Sequence, residues 1–288
     1  MKIAWIGTGV MGSAMLLHLL QAGHELHAYN RSIEKAKPLQ KEGVKIHTAI
    51  PDCIKECDMI ITMVGYPKDV EEVYTSADGI FANARAGCIC IDMTTSSPKL
   101  AKVLYEEGKQ KGIDVLDAPV SGGDSRAKAG TLSIMVGGDH ETYERCIPIF
   151  SIMGTPIYMG EAGCGQHTKA CNQIAVAGAV AAMSEALVYA RRNGLDEESM
   201  LSAIKGGAAG SWQINNTAPR VLQGDLEPGF YIKHFIKDMH IIQEEMGPVH
   251  LAMLDTVCSM YEALQKNGEE DRGTQALIHY YEEKDKIS

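Results

Sequence analysis

The sequence has 288 residues, of which 45% are hydrophobic and 22% are charged. This composition is ordinary for a folded protein and excludes a disordered chain, and the length suits about two domains. The formal charge of −10 at pH 7 argues against binding to nucleic-acid backbones through bulk electrostatics.

Apolar runs and cysteine spacing indicate the cellular compartment of the protein. The longest nearly apolar run covers residues 174–183, far short of the roughly 20 residues that a membrane helix needs. We therefore predict no membrane segment, and we find no export signal. The eight cysteines include no CxxC pair, so we expect reduced thiols, no zinc or other metal site, and a cytoplasmic protein.

The first half of the chain alternates short β-branched runs with helical stretches, which is typical of parallel βαβ units. We predict strands at Lys2–Ile6, Glu25–Tyr29, residues 59–64, residues 88–92, Asp114–Asp117 and residues 132–136. From about residue 160, Ala/Met/Leu/Glu-rich stretches predict helices instead. The sequence therefore predicts an α/β domain over residues 1–161 and an all-α domain over residues 162–288, joined by a long helix.

A glycine-rich turn separates the first predicted strand from the first predicted helix. It fits the pattern GxGxxG and consists of Gly7, Thr8, Gly9, Val10, Met11 and Gly12. In such a turn the glycines allow a tight bend, a close approach of the backbone to a pyrophosphate, and close packing of helix on strand. The helix amino terminus adds unpaired N–H groups. This context favours a dinucleotide-binding Rossmann domain over an ordinary glycine-rich turn.

The end of the second predicted strand bears on the choice between two dinucleotides. NAD-preferring sites usually carry Asp or Glu there to bind the ribose 2′-hydroxyl, but this strand ends with Asn30, Arg31 and Ser32. Arg31 can form charge-assisted hydrogen bonds with a 2′-phosphate, and the other two side chains add neutral ones. The pattern favours NADP; the alternative is an arginine that faces solvent in a loop.

A serine and two glycines follow the predicted strand Asp114–Asp117. The N–H groups of Gly122 and Gly123 and the hydroxyl of Ser121 can converge on a carboxylate. The alternative, a plain Gly-Gly turn, fits this segment equally well when it is taken in isolation.

The long helix has three polar residues near its start. Lys169, Asn172 and Gln173 share one face because they stand at positions i, i+3 and i+4. A partly desolvated lysine has a lowered pKa and can act as a general acid or base. The alternative is an ordinary solvated lysine.

Another polar set lies near residues 228–239. Phe230, His234, Lys237 and Asp238 fall on one face if the whole segment is helical. The simpler interpretation is an amphipathic surface helix with a solvated lysine and aspartate.

These signals occur together and in order, and in this the chain resembles the β-hydroxyacid dehydrogenase family. The matching segments are GTGVMG, DMTT (92–95), DAPVSGG (117–123), GCGQHTKACNQ (163–173), MSEAL (183–187), KDM (237–239) and a tail at 274–281. The resemblance implies that the second domain carries substrate-binding and dimerisation functions.

The same resemblance implies roles for individual residues. Lys169 would transfer the proton and Asn172 would orient the reacting groups. Ser121, Gly122 and Gly123 would hold the substrate carboxylate. Phe230 and Asp238 would also contact the substrate, and Gln173 is the alternative to Asn172 there. The implied cofactor contacts are Thr95, Lys237, Met63 and Val64.

The resulting hypothesis is an NADPH-dependent reductase of small aldehyde acids such as glyoxylate or succinic semialdehyde, reversible as a β-hydroxyacid dehydrogenase. The alternatives are a 3-hydroxyisobutyrate or tartronate semialdehyde oxidoreductase, an imine reductase, and a non-catalytic NADP-binding module. Many imine reductases have another residue at the position of Lys169, which speaks against that alternative. The resemblance also implies a homodimer or homotetramer.

Overall fold

The computed structural model describes residues 1–287, with side chains through Glu282. Its packing separates two compact units, Met1–Lys169 and a second unit that begins at Ala170. The predicted domain boundary between residues 161 and 162 stays a prediction.

The first unit contains nine strands. They are β1 (Lys2–Ile6), β2 (Glu25–Tyr29), β3 (Lys45–His47), β4 (Met59–Thr62), β5 (Ile89–Asp92), β6 (Asp114–Asp117), β7 (Val120–Ser121), β8 (Leu132–Gly137) and β9 (Gly154–Gly160). All six predicted strands are present, three with the predicted bounds. Strands β3, β7 and β9 were not predicted. β3 and β7 are very short, and β9 contains a proline and two glycines, which weaken a strand signal.

The strands form one sheet whose order is β3-β2-β1-β4-β5-β6-β8-β7, with β9 paired to β8. The pairs from β3 to β6 are all parallel, whereas β8 runs antiparallel to β6 and β7 and parallel to β9. The order reverses between β1 and β4, which is the point where open α/β sheets bind ligands at the carboxyl ends of their strands.

Eight helices accompany the sheet in the first unit. They are α1 (Val10–Gln21), α2 (Ile33–Gln40), α3 (Ile50–Ile54), α4 (Pro67–Thr75), α5 (Ile80–Asn83), α6 (Pro98–Gln110), α7 (Gly123–Ala129) and α8 (His140–Met153). Two buried apolar clusters form the core, one that includes Trp5 and Phe150 and another that includes Tyr74 and Phe81. Successive residues of β1, such as Trp5 and Ile6, belong to different clusters because successive side chains of a strand point to opposite faces.

The second unit is helical, which confirms the predicted fold class. Its elements are α9 (Cys164–Arg192, which begins in the first unit), α10 (Glu197–Ile204), a π-helical turn (Gln213–Thr217), α11 (Ala218–Leu222), α12 (Ile232–Met246), α13 (Ala252–Lys266), a 3₁₀ turn (Thr274–Leu277) and α14 (Ile278–Ile287). Phe235 and Tyr261 are fully buried at the centre of its apolar core, where their rings pack edge to face at a centroid distance of 5.3 Å.

Helix α9 is, among the described residues, the one helix long and apolar enough to cross a membrane by length and composition alone. The structure offers a second reason for its apolar sequence. Ala177, Val180, Met183 and Leu187 are buried in the core of the helical unit. They recur every three or four residues, as expected of a helix that buries one side. The predicted lack of a membrane segment stays a prediction.

All eight cysteines are free thiols in the structure, and their reduced state stays a prediction. Six of them are buried, Cys164 is partly buried and Cys171 is exposed. Chains of this size bury enough apolar surface to fold without disulfides.

Candidate active site

The glycine turn lies between β1 and α1, next to the reversal of strand order. Gly7 adopts φ +100°, and a Cβ there would lie 2.1 Å from the carbonyl oxygen of Met63. A Cβ on Gly12 would lie 2.1 Å from the carbonyl oxygen of Gly7. Both positions therefore need glycine, whereas a Cβ on Gly9 would meet open space. The turn is packed tightly against neighbouring backbone at Gly7 and Gly12, and the open space at Gly9 leaves room for a ligand.

Thr8 gives the turn a polar group that the protein does not satisfy. Its side-chain oxygen is buried and has no hydrogen-bond partner, which is costly for a hydroxyl unless a ligand supplies one. The backbone N–H of Thr8 donates to Oδ1 of Asn30 at 2.9 Å, and Nδ2 of Asn30 donates to the carbonyl of Ser32 at 2.8 Å. Asn30 thus ties the turn to the end of β2. These features fit a dinucleotide phosphate.

Arg31 is held by a partner that the sequence analysis missed. Its Nη1 lies 3.0 Å from Oδ1 of Asp69, while 78% of the arginine side chain stays exposed. The other carboxylate oxygen of Asp69 accepts from the N–H of Tyr66 at 3.0 Å, at the start of α4. Asp69 therefore fixes the guanidinium beside the end of β2. No local signal reveals this pair, because its members are 38 residues apart.

The predicted cofactor residues after β4 and β5 are linked by threonine hydroxyls. The N–H of Val64 donates to Oγ1 of Thr94 at 3.0 Å. Thr62 and the N–H of Thr94 donate to Oδ1 of Asp92 at 2.8 and 3.1 Å. Burial raises the pKa of the Asp92 carboxyl to about 6, against the effect of these hydrogen bonds. This network fixes the segments that hold Met63, Val64 and Thr95.

The predicted carboxylate loop follows β6. Ser121 pairs with Ser133 at the end of β7, and α7 begins at Gly123 with Gly122 as its N-cap. The two glycines therefore lie at a helix amino terminus, where backbone N–H groups lack helical partners. This placement suits an anion.

Two further residues position the start of α9. Asp117, at the end of β6, accepts from the N–H groups of Gly163 and Gln166 at 2.8 and 2.9 Å. Burial raises the pKa of its carboxyl and these hydrogen bonds oppose the rise. The side chain of Gln166 donates to the carbonyl of Thr94 at 2.7 Å and accepts from the N–H of Ser96 at 2.9 Å. Asp117 thus caps α9 from outside the helix.

Lys169 follows Gln166 by one helical turn. It is only 8% exposed, so it is not the solvated surface lysine of the simpler interpretation. Both Asp117 and Gln166 stand in segments that the sequence analysis singled out, but their hydrogen bonds cross 46 to 72 residues. The sequence therefore gave no sign of this positioning role.

In the helical unit, four predicted site residues form one network. Nδ2 of Asn172 donates to Oε1 of Gln173 at 2.8 Å, and Nε2 of Gln173 donates to Oδ2 of Asp238 at 2.6 Å. Nζ of Lys237 lies 3.0 Å from Oδ1 of the same carboxylate, and both side chains are largely buried. The interpretation as a solvated surface pair is therefore wrong.

Phe230 does not share a helical face with these residues. Helix α12 begins at Ile232 with Tyr231 as its N-cap, so Phe230 lies in the preceding segment. Its ring packs edge to face on Phe235 at 5.7 Å. The prediction of a shared helical face holds only for His234, Lys237 and Asp238, because the extended backbone of Tyr231 interrupts the spacing.

An open depression lies elsewhere on the first unit. It is lined by Met1, Lys2, Gly23, Glu25, Glu56, Asp58 and Arg85. Lys2 and Glu25 begin their strands, so this depression is at the amino-terminal edge of the sheet. The glycine turn and the network of Asp92 and Asp117 are at the opposite edge, where parallel α/β sheets place their ligands.

Comparison with known proteins identifies the family of the chain. Residues 2–163 match the NAD-binding domain of 6-phosphogluconate dehydrogenase, and residues 163–281 match the NAD-binding domain of NADP-dependent 3-hydroxyisobutyrate dehydrogenase. An uncharacterized oxidoreductase of Bacillus subtilis is 52% identical, over 96% of both chains. The 2-hydroxy-3-oxopropionate reductase of Escherichia coli is 34% identical, over 98% of this chain and 97% of the relative.

Solved structures give the same result. A Mycobacterium tuberculosis 3-hydroxyisobutyrate dehydrogenase with L-serine matches with a TM-score of 0.88 and 30% identity, over 96% of this chain and 98% of the other. Psf3 in complex with NADP+ and 2-OPP matches with a TM-score of 0.90 and 25% identity, over 96% and 99%.

The fold and the matched families define an oxidoreductase that uses a nicotinamide cofactor and acts on CH–OH groups. Within that class, the chain belongs to the β-hydroxyacid dehydrogenase family.

Proposed function

We propose that the protein is an NADPH-dependent reductase of small aldehyde acids, of the glyoxylate or succinic semialdehyde type, and that it also oxidises the corresponding hydroxyacids. The observation that carries the proposal is the burial of Lys169 one turn into a helix whose start is fixed by Asp117 and Gln166. A buried ammonium at a fixed position is suited to general acid catalysis.

In this mechanism a side chain of the protein, Lys169, transfers the proton. When bound, the cofactor supplies the hydride to the aldehyde carbon. The Lys169 ammonium donates its proton to the carbonyl oxygen as negative charge develops there, and the neutral amine then takes a proton from water. In the reverse direction the neutral amine accepts the hydroxyl proton.

The carboxylate of the substrate is assigned to the loop after β6. Ser121 supplies a hydroxyl, and Gly122 and Gly123 supply N–H groups at the amino terminus of α7. Asn172 is the better candidate to contact the substrate directly, because the amide of Gln173 is already engaged by both Asn172 and Asp238. Phe230 and Asp238 remain proposed substrate contacts.

The preference for NADPH rests on Arg31. Its guanidinium is held by Asp69 yet largely exposed, so it can meet a 2′-phosphate while its orientation is fixed. The end of β2 has no carboxylate that would favour a free ribose hydroxyl. Thr95 and Lys237 are proposed to contact the cofactor too, although Lys237 also pairs with Asp238.

Steady-state kinetics test the proposal. Glyoxylate, succinic semialdehyde, tartronate semialdehyde and methylmalonate semialdehyde are each assayed with NADPH and with NADH, and an imine-forming mixture of a ketone and an amine serves as the comparison. We expect the highest kcat/KM for glyoxylate or succinic semialdehyde with NADPH. A strong NADH preference would overturn the assignment to NADP. Turnover only of the imine would contradict the aldehyde-acid assignment, and inertness toward all substrates would favour a binding module.

A cytoplasmic location and a homodimer or homotetramer remain predictions. Size-exclusion chromatography with light scattering tests the second of these.

A further inference from the structure

Three side chains with metal-binding atoms meet on the hairpin of α12 and α13, apart from the residues assigned to catalysis. Nε2 of His240 lies 2.8 Å from Oε1 of Glu262, and Sγ of Cys258 lies 3.9 Å from the same oxygen. All three ligand atoms lie within 4.8 Å of one another. Cys258 and Glu262 share one face of α13 because they stand at positions i and i+4, and His240 faces them from α12.

The donor set suits a borderline-soft divalent ion. Imidazole, thiolate and carboxylate are all ordinary Zn²⁺ ligands, and three protein ligands leave a fourth position for water. A tetrahedral Zn²⁺ ion with usual bond lengths holds its ligand atoms roughly 3.3–3.7 Å apart. The observed distances are within about one ångström of that range, which small side-chain rotations can supply. A thiolate and a carboxylate would also balance the charge of the ion.

The surroundings leave this group open to an ion from solvent. The His240 side chain is 52% exposed, whereas Cys258 is only 2% exposed and points its thiol at Glu262. Another acid of α13, Asp255, is engaged by Nε2 of Gln243 at 2.8 Å and lies 3.4 Å from Nδ1 of His250. Asp255 is therefore committed elsewhere, and among the described residues the site consists of these three.

In contrast to the expectation from cysteine spacing, we propose that His240, Cys258 and Glu262 form a binding site for Zn²⁺ or a similar divalent transition-metal ion. The ion joins α12 to α13 through bonds to His Nε2, Cys Sγ and a Glu carboxylate oxygen. Binding releases the thiol proton to the buffer, so the bound unit is neutral apart from its water. Helix α12 also carries Lys237 and Asp238, one turn earlier, so the ion would fix the helix that bears these residues.

Metal titration of the full-length chain tests the site. Isothermal titration with Zn²⁺ is expected to show one equivalent per chain, and Co²⁺ is expected to give a thiolate-to-metal charge-transfer band in the near ultraviolet. Cys258→Ser should abolish the band. Loss of a residue that only hydrogen-bonds to a metal ligand weakens metal binding by about 10- to 100-fold. His240→Asn and Glu262→Gln each remove a direct ligand, so they should weaken Zn²⁺ binding by more than that.

Two matched controls keep the test specific. His279 pairs with Glu269 at 2.7 Å in a similar geometry, so His279→Asn should leave Zn²⁺ binding unchanged. Cys171→Ser, which removes the exposed thiol, should also leave it unchanged. Zn²⁺ should raise the Tm of the wild type and of both controls but not of Cys258→Ser.

Two results would overturn the proposal: a lack of saturable uptake by the wild type, or uptake that persists in both His240→Asn and Glu262→Gln. These two side chains are substantially exposed, so their replacement should leave the fold intact even if Cys258→Ser disturbs the core. None of these outcomes depends on the identity of the enzyme's substrate.

Discussion

At the scale of single residues, the proposed mechanism depends most on Lys169. Replacement by alanine removes the proton donor, so we expect kcat to fall by about 10²- to 10⁴-fold. Binding of NADPH should change little, since the proposed cofactor contacts lie elsewhere. Stopped-flow turnover and fluorescence titration with NADPH measure the two quantities. Lys109→Ala, at the far end of α6, serves as the control and should keep wild-type turnover. Near-normal turnover in Lys169→Ala would refute the assignment.

Arg31 is the residue that should set cofactor preference. Arg31→Ala is expected to raise KM for NADPH by about tenfold, the lower part of the range for a charged hydrogen bond, because the side chain is exposed. KM for NADH should change little, since NADH lacks the 2′-phosphate. Parallel kinetics with the two cofactors measure the effect. An equal rise for both would show that Arg31 acts on the loop as a whole.

Asp92 should make stability depend on pH. Its pKa is about 6 in the folded protein against an ordinary value of 3.8, so the folded state binds the proton more tightly than the unfolded state. The free energy of unfolding therefore rises as pH falls from about 6 to 4, by about 2 kcal/mol from this group alone. Urea denaturation between pH 4 and 7 should show a smaller rise in Asp92→Asn. Identical pH profiles would contradict the shift.

At the scale of elements, the start of α9 depends on a cap supplied by another strand. Asp117→Asn replaces one acceptor oxygen by an NH₂ group that faces a backbone N–H, so we expect a loss of about 1–3 kcal/mol in unfolding free energy. The kcat should also fall, because the helix that carries Lys169 is no longer held. Denaturation and kinetics together test this positioning role. Asp139→Ala, which removes the cap of α8, should lower stability without lowering kcat.

At the scale of the whole molecule, each unit has its own apolar core and its own tryptophan. Phe235→Ala should destabilise the helical unit by about 3–5 kcal/mol, because it opens a cavity beside Tyr261. Fluorescence of Trp212 in a Trp5→Phe background reports unfolding of that unit. Tyr189→Ala, at an exposed position of α9, is the matched control and should change stability little. Equal transitions in the two variants would contradict this account of the core.

Local sequence was sufficient for much of the fold because its signals are short-range. Strands β1, β2 and β6 were predicted with their observed bounds, since short apolar or alternating runs bounded by glycines and polar residues need no distant partner. The glycine turn was also recognisable, because its spacing follows from the contacts that Gly7 and Gly12 make with neighbouring backbone.

Only the tertiary structure decided how the functional side chains are held. Arg31 meets Asp69 across 38 residues, Gln173 meets Asp238 across 65, and His240 meets Glu262 across 22. No local pattern predicts such pairs, since they depend on which strand ends and helix faces the packing brings together. The sequence by itself determined the elements, the dinucleotide turn and the family resemblance. The packing of distant segments determined the partners of the charged groups, because an ion pair or a cap requires only proximity in space.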